Sequence, residues 1–124
     1  MNGPILRHLG AGERWVLVEA YDYPLEDCTV RLPAGFVTDL ASVPDLLHWL
    51  IDEVELGTAG PILHDAIYQH RGELPVDWCY PYRTFTRQEA DVLLVSFARI
   101  EGCPRWRCKL ALWAVRVFGR PAWG

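Results

Sequence analysis

The chain has 124 residues, of which 51% are hydrophobic and 23% charged, with a net charge of −4 at pH 7. That length supports one hydrophobic core, so a single domain over residues 1–124 is expected. A mean hydropathy of +0.03, with charges interrupting every long apolar run, excludes a bilayer-spanning helix of roughly 20 apolar residues, and the acidic balance excludes non-specific nucleic-acid binding by the whole chain.

Met1-Asn2-Gly3-Pro4 carries neither a basic stretch nor an apolar run, so no secretory leader and a cytoplasmic site of synthesis are expected. In that compartment Cys28, Cys79, Cys103 and Cys108 are expected as free thiols. Cys103 and Cys108 lack the spacing of a zinc or redox pair.

Arg14–Glu19 and Cys28–Leu32 are short and rich in β-branched and aromatic residues, and read as an antiparallel pair joined by the polar, proline-containing stretch 22–27. Leu32–Val37 then continues the sheet after a Pro-Gly bend. Thr38, Asp39 and Ser42 are each able to cap a helix, and Pro44 suits a first turn, so a short helix is expected over about residues 44–52. A second helix is expected over about 59–70, with Pro61 tolerated in its first turn. Its apolar residues Ile62, Leu63, Ala66 and Ile67 form one face, while His64, Tyr68 and Arg71 line another. The stretch from Gly72 to Phe85, with two prolines and several aromatics, reads as an ordered loop.

Thr86-Arg87-Gln88-Glu89 has the capping-box pattern, which marks the start of a third helix. Ala90, Leu93, Leu94 and Phe97 carry its apolar stripe to Ile100, and Gly102 supplies the stop. A fourth helix starts near Pro104. Its residues Trp106, Leu110, Trp113 and Val117 recur at helical spacing until Gly119, among Arg105, Arg107, Lys109, Arg116 and Arg120. Core packing of that stripe with a basic outer face is the expectation, and membrane-surface binding the alternative.

Three stretches carry the candidate chemistry: Gly35-Phe36-Val37-Thr38-Asp39-Leu40-Ala41-Ser42-Val43-Pro44, His64-Asp65-Ala66-Ile67-Tyr68, and Glu89-Ala90-Asp91. His64 can take a proton from water if a carboxylate fixes its tautomer. Asp91 lies at the border of its apolar stripe, where an unpaired carboxylate is costly, so it is the expected orienter and Tyr68 a second donor to it. Asp65 is then left to bind a hard cation with loop oxygens of the Gly35–Ser42 segment and the Asp39 carboxylate. Such a cation would stabilise the oxyanion formed when water attacks an ester or amide. The bland alternative is a solvated His64/Tyr68/Arg71 face, with Asp39 and Ser42 acting only as caps and Asp91 only favoured by the helix dipole. His8, His48 and His70 read as structural.

From Gly35 to Trp123 the chain resembles a family of short phage and prophage proteins known as DUF1353. The resemblance rests on residues 35–44, His-Asp-x-x-Tyr at 64–68, Ala-Asp at 90–91, and Ala-Val-Arg-x-Phe-Gly at 114–119 with Trp123. It implies a phage or prophage origin and no particular activity. The His-Asp-x-x-Tyr helix, followed by a helix bearing an aspartate, also looks like phospholipase A2, especially the compact type of parvovirus capsids. That likeness implies His64 as the base, Asp65 as the calcium ligand, Asp91 as the orienting carboxylate and Tyr68 as its support. The chain departs from it at the loop, where Phe36-Val37-Thr38-Asp39 replaces the glycine-rich calcium-binding stretch.

The sequence therefore leads to an α+β domain, a small N-terminal antiparallel sheet packed with three or four helices, with the site in a central antiparallel helix pair. The leading function is a metal-assisted hydrolase of a lipid ester or cell-envelope bond. Its catalytic residues are His64, Asp91 and Tyr68; its cation sits on Asp65 and Asp39, with calcium favoured over zinc. The rival is a non-enzymatic virion component, a tail or tail-tip accessory protein bound to other tail proteins, in which the same cluster is a structural polar network.

Overall fold

A computed structural model describes residues 4–9, 14–39, 59–100 and 102–123. The fold is α+β. Strands β1 (Leu6–His8), β2 (Arg14–Leu17) and β5 (Val37–Asp39) form one antiparallel sheet in the order β1-β2-β5; β3 (Tyr21–Pro24), β4 (Thr29–Leu32) and β6 (Cys79–Tyr80) form a second in the order β3-β4-β6. Helices follow at α1 (Ala59–Gln69), α2 (Arg87–Ile100), α3 (Arg105–Phe118) and α4 (Arg120–Trp123). No helix among the described residues is long and apolar enough to cross a membrane.

The strand pairing differs from expectation. Residues 14–17 and 28–32 are not partners; β4 pairs instead with β3, placing Tyr21 opposite Leu32 and Tyr23 opposite Val30. The stretch read as a polar connection thus supplies the second arm of a hairpin. Alternation explains why: in β3 only Tyr23 is buried, in β4 Val30 and Leu32 are, and these residues share the core-facing side. After β4 the chain turns at 33–36 and β5 joins β2, the two held further by Leu17 N–H to Phe36 O at 2.8 Å and Gly35 N–H to Leu17 O at 2.7 Å. The expected loop over 72–85 contains a 3-10 turn at Val76–Trp78 and then β6. The helix expected over 44–52 lies outside the described residues.

Helix α1 is the centre of the packing. Every residue from Ala59 to Tyr68 is buried, so the alternative of a solvated face fails at His64 and Tyr68, and only Arg71, beyond the helix end, is exposed: one side of α1 meets the sheets and the other meets α2. Close approach to α2 depends on Gly60, where a Cβ would lie 3.0 Å from Leu94 O and 3.3 Å from Phe97 Cβ. Tyr23 ties the sheet to the same end of α1, its hydroxyl donating to Ala59 O at 2.7 Å while its ring meets Phe97 edge-on.

The start of α2 follows the sequence pattern: Thr86 N–H donates to Glu89 Oε1 at 2.9 Å and Glu89 N–H to Thr86 Oγ1 at 3.1 Å. Its end is closed at Gly102, after which Cys103 N–H returns to Ala98 O at 2.9 Å. A second apolar cluster, Leu94, Ala98, Cys103, Cys108, Ala111 and Val115, joins α2 to α3. Most of the stripe expected to form the core of α3 faces outward instead: Trp106, Trp113 and Val117 are exposed, and only Leu110 packs against that cluster. Small residues explain the inversion, because Ala111 and Ala114 let α3 approach its neighbours where tryptophans would not fit.

The four cysteines are free and buried. Burial, reinforced by a hydrogen bond with Cys79, pushes the Cys28 thiol up to about 12, and burial with Cys103 nearby pushes Cys108 up to about 11. Both stay protonated near neutrality, so native protein is expected to react with a thiol reagent far more slowly than unfolded protein, as a timed alkylation and mass measurement would show. Gly72 gives a second prediction. It has φ +84°, and a Cβ there would sit 1.8 Å from Phe85 O, so Gly72→Ala is expected to destabilise the fold by about 2 kcal/mol or more in a denaturant titration.

Candidate functional site

Antiparallel packing of α1 on α2 sets His64 opposite Asp91. His64 Nε2 lies 2.8 Å from Asp91 Oδ1, and the Tyr68 hydroxyl, one turn further along α1, donates to the same oxygen at 2.6 Å. The two rings lie against each other, tilted by 31°, with centroids 4.1 Å apart. Asp91 has 0% of its side chain exposed and His64 10%. Three residues expected to act together are therefore joined in one buried cluster.

Two arginines complete it. Arg116, from α3, places Nη1 3.1 Å from Asp91 Oδ2. Arg87, at the start of α2, donates from Nε to the Tyr68 hydroxyl at 3.1 Å and from Nη2 to Val115 O and Arg116 O at 2.7 and 2.8 Å. It thus occupies the C-terminal end of α3, where a cation suits the helix dipole. Sequence reasoning missed both. Arg87 had a readable signal, lying four residues before Asp91 on the same helical face; Arg116 stood in the Ala-Val-Arg-x-Phe-Gly motif at 114–119, which marked the position but gave it no partner.

Burial opposes ionisation of Asp91, but the hydrogen bonds from His64 and Tyr68, the His64 charge and the Arg116 bond outweigh it, and the carboxyl is held below its usual range. The Tyr68 phenol is pushed upward, by burial first and then by its hydrogen bond to the Asp91 carboxylate, so it remains a donor across the working pH range. With Nε2 bound to a carboxylate, the neutral imidazole carries its proton there and presents the Nδ1 lone pair, which has no hydrogen-bond partner among the described residues. Such a ring can accept a proton at Nδ1 while the charge it gains is met by Asp91.

Asp65 points elsewhere. Its Oδ2 accepts from the Thr38 hydroxyl at 2.7 Å and from Gln69 Nε2 at 2.9 Å, and Gln69 also donates to Val37 O at 3.1 Å. These contacts fasten α1 to β5. The Asp39 backbone follows Thr38 in that strand; its side chain, and residues 40–42 of the expected loop, lie outside the description. Among the described residues no group of three His, Cys, Asp or Glu side chains is placed to hold a metal. His70 meets Trp78 edge-on at 5.1 Å; the His8 side chain and His48 lie outside the description.

A family model described as protein of unknown function (DUF1353) matches residues 15–115, and the chain belongs to that family. Neither a curated protein nor a solved structure matches it.

Removing the Asp91 carboxylate leaves three buried or half-buried donors facing an empty position, so Asp91→Ala is expected to cost about 3–5 kcal/mol. The pH dependence follows from the lowered pKa. The folded carboxyl ionises below its unfolded value of about 3.9, so its stabilising contribution is complete above that value and is lost as pH falls through the folded one. Denaturant titrations from neutral pH down to about pH 2 are expected to show a decline that is shallower in Asp91→Asn.

Proposed function

We propose that this member of the DUF1353 family is a phage-encoded, metal-assisted hydrolase acting on a lipid ester or a cell-envelope bond, with His64 as general base. The observation that carries the reading is the 2.8 Å contact between His64 Nε2 and the fully buried Asp91, which directs the other ring nitrogen to proton transfer. In the proposed reaction Nδ1 removes a proton from water as the water oxygen bonds to the carbonyl carbon. Asp91 steadies the imidazolium, with Tyr68 and Arg116 holding the carboxylate in place. Collapse of the tetrahedral adduct breaks the bond to the leaving group, which takes the proton from Nδ1. The likeness of His-Asp-x-x-Tyr to phospholipase A2 supports a lipid ester among the substrates.

The proposal includes a divalent cation, calcium in preference to zinc, on Asp65 and Asp39. One Asp65 oxygen already accepts two neutral hydrogen bonds, and the described side chains do not by themselves supply the roughly six to eight oxygens calcium takes.

A second reading is favoured by the charge balance of the cluster. Asp91 is matched by Arg116, and Arg87 bridges three helices, as expected of a polar network that fixes helix packing in a virion component such as a tail accessory protein. Purified protein assayed on phospholipid esters and on cell-envelope material, with calcium and with chelator, separates the two. The hydrolase reading expects turnover that His64→Asn lowers about a hundredfold or more while circular dichroism stays native. If the wild-type chain turns over neither substrate class, and His64→Asn only destabilises by about 1–3 kcal/mol, the structural reading replaces it.

A further inference from the structure

Helix α3 has 14 residues and no acidic side chain, in a chain whose net charge is −4. At 100° per residue, Trp106, Leu110, Trp113 and Val117 fall within one narrow sector. Arg105, Lys109 and Arg116 flank it on one side and Arg107 on the other. The opposite sector, with Cys108, Ala111 and Val115, is the one packed on α2. Leu110 packs against the apolar cluster between α2 and α3, while the rest of the aromatic sector is turned to solvent, with Trp106 57%, Trp113 52% and Val117 50% exposed. The Arg107 guanidinium lies over the Trp106 ring at 4.8 Å, and neither Arg105 nor Lys109 forms an ion pair among the described residues.

We propose that α3 seats the protein on an anionic lipid bilayer, lying in the plane of the surface with Trp106, Trp113 and Val117 entering the headgroup boundary and Arg105, Arg107 and Lys109 on lipid phosphates. The charge distribution identifies the occupant. An apolar row bordered by cations on both flanks matches an interface that is hydrocarbon on one side and phosphate on the other, and tryptophan favours that boundary. Each cation near such a surface adds to the attraction, which salt weakens. Arg116 is excluded from this role because it is committed to Asp91. The inference does not depend on catalysis: a chain that binds and turns nothing over would still satisfy it.

The test is flotation of the full-length chain with vesicles of phosphatidylcholine alone and of phosphatidylcholine mixed with phosphatidylglycerol, at low and high salt. Binding to the anionic vesicles with a blue shift of tryptophan emission, reversed by salt, is expected. Arg105→Glu/Lys109→Glu and Trp106→Ser/Trp113→Ser are each expected to weaken it about tenfold or more, while their melting curves stay close to wild type because all four positions are on the surface. Failure of the wild-type chain to float with anionic vesicles at low salt overturns the inference, as does binding that neither variant reduces. Sedimentation showing a dimer that the tryptophan variant dissociates, or retention of an oligonucleotide, in the absence of vesicle binding would assign the face to a second copy or to a nucleic acid instead.

Discussion

One buried carboxylate constrains how the three long helices meet. Asp91 is sealed from water and accepts from α1 through His64 and Tyr68, and from α3 through Arg116. A charge in that position is tolerable only while its partners remain in place, so the mutual placement of α1, α2 and α3 is tied to its solvation. Close apolar packing accompanies it, at Gly60 between α1 and α2 and at the alanines of α3. The carboxylate adds direction to it: apolar surfaces tolerate small slips along the helix axes, whereas hydrogen bonds of 2.6–3.1 Å from two helices do not.

The same contacts bear on chemistry. A histidine held at Nε2 by an acid has one proton-accepting nitrogen and a fixed ring plane, features useful to a base and equally useful to a static network. Exposure of the ring and the substrates it meets decide between these uses, and the basic, tryptophan-bearing face of α3 is a separate property of the surface.

Local signals in the sequence were read well where the physics is local. The capping box at Thr86 and Glu89 appears as two reciprocal hydrogen bonds, and the helix from Ala59 closely matches its expected span. The meeting of His64, Tyr68 and Asp91 was legible because a carboxylate bordering an apolar stripe needs a partner, and a histidine and a tyrosine one turn apart can supply it. What was misread depends on tertiary partners. Alternation alone does not say which strand β4 chooses, and Tyr23 inside a proline-containing stretch looked like part of a connection. The periodicity of α3 revealed an apolar stripe but not which way it faces, since the alanines that pack make a weaker hydropathy signal than the tryptophans that do not. The alternative of a solvated face on α1 fails at His64 and Tyr68 for a related reason: an enclosed helix can bury polar residues when each finds a mate.

Two successive residues of α1 reach in different directions, His64 to Asp91 on α2 and Asp65 to Thr38 on β5. A helix gripped at neighbouring angles around its circumference behaves like a keyed shaft, unable to roll without breaking one grip or the other. Any sideways shift of β5 would be transmitted through Thr38 as a rotation of α1, and would be felt at the imidazole as a change in its aim.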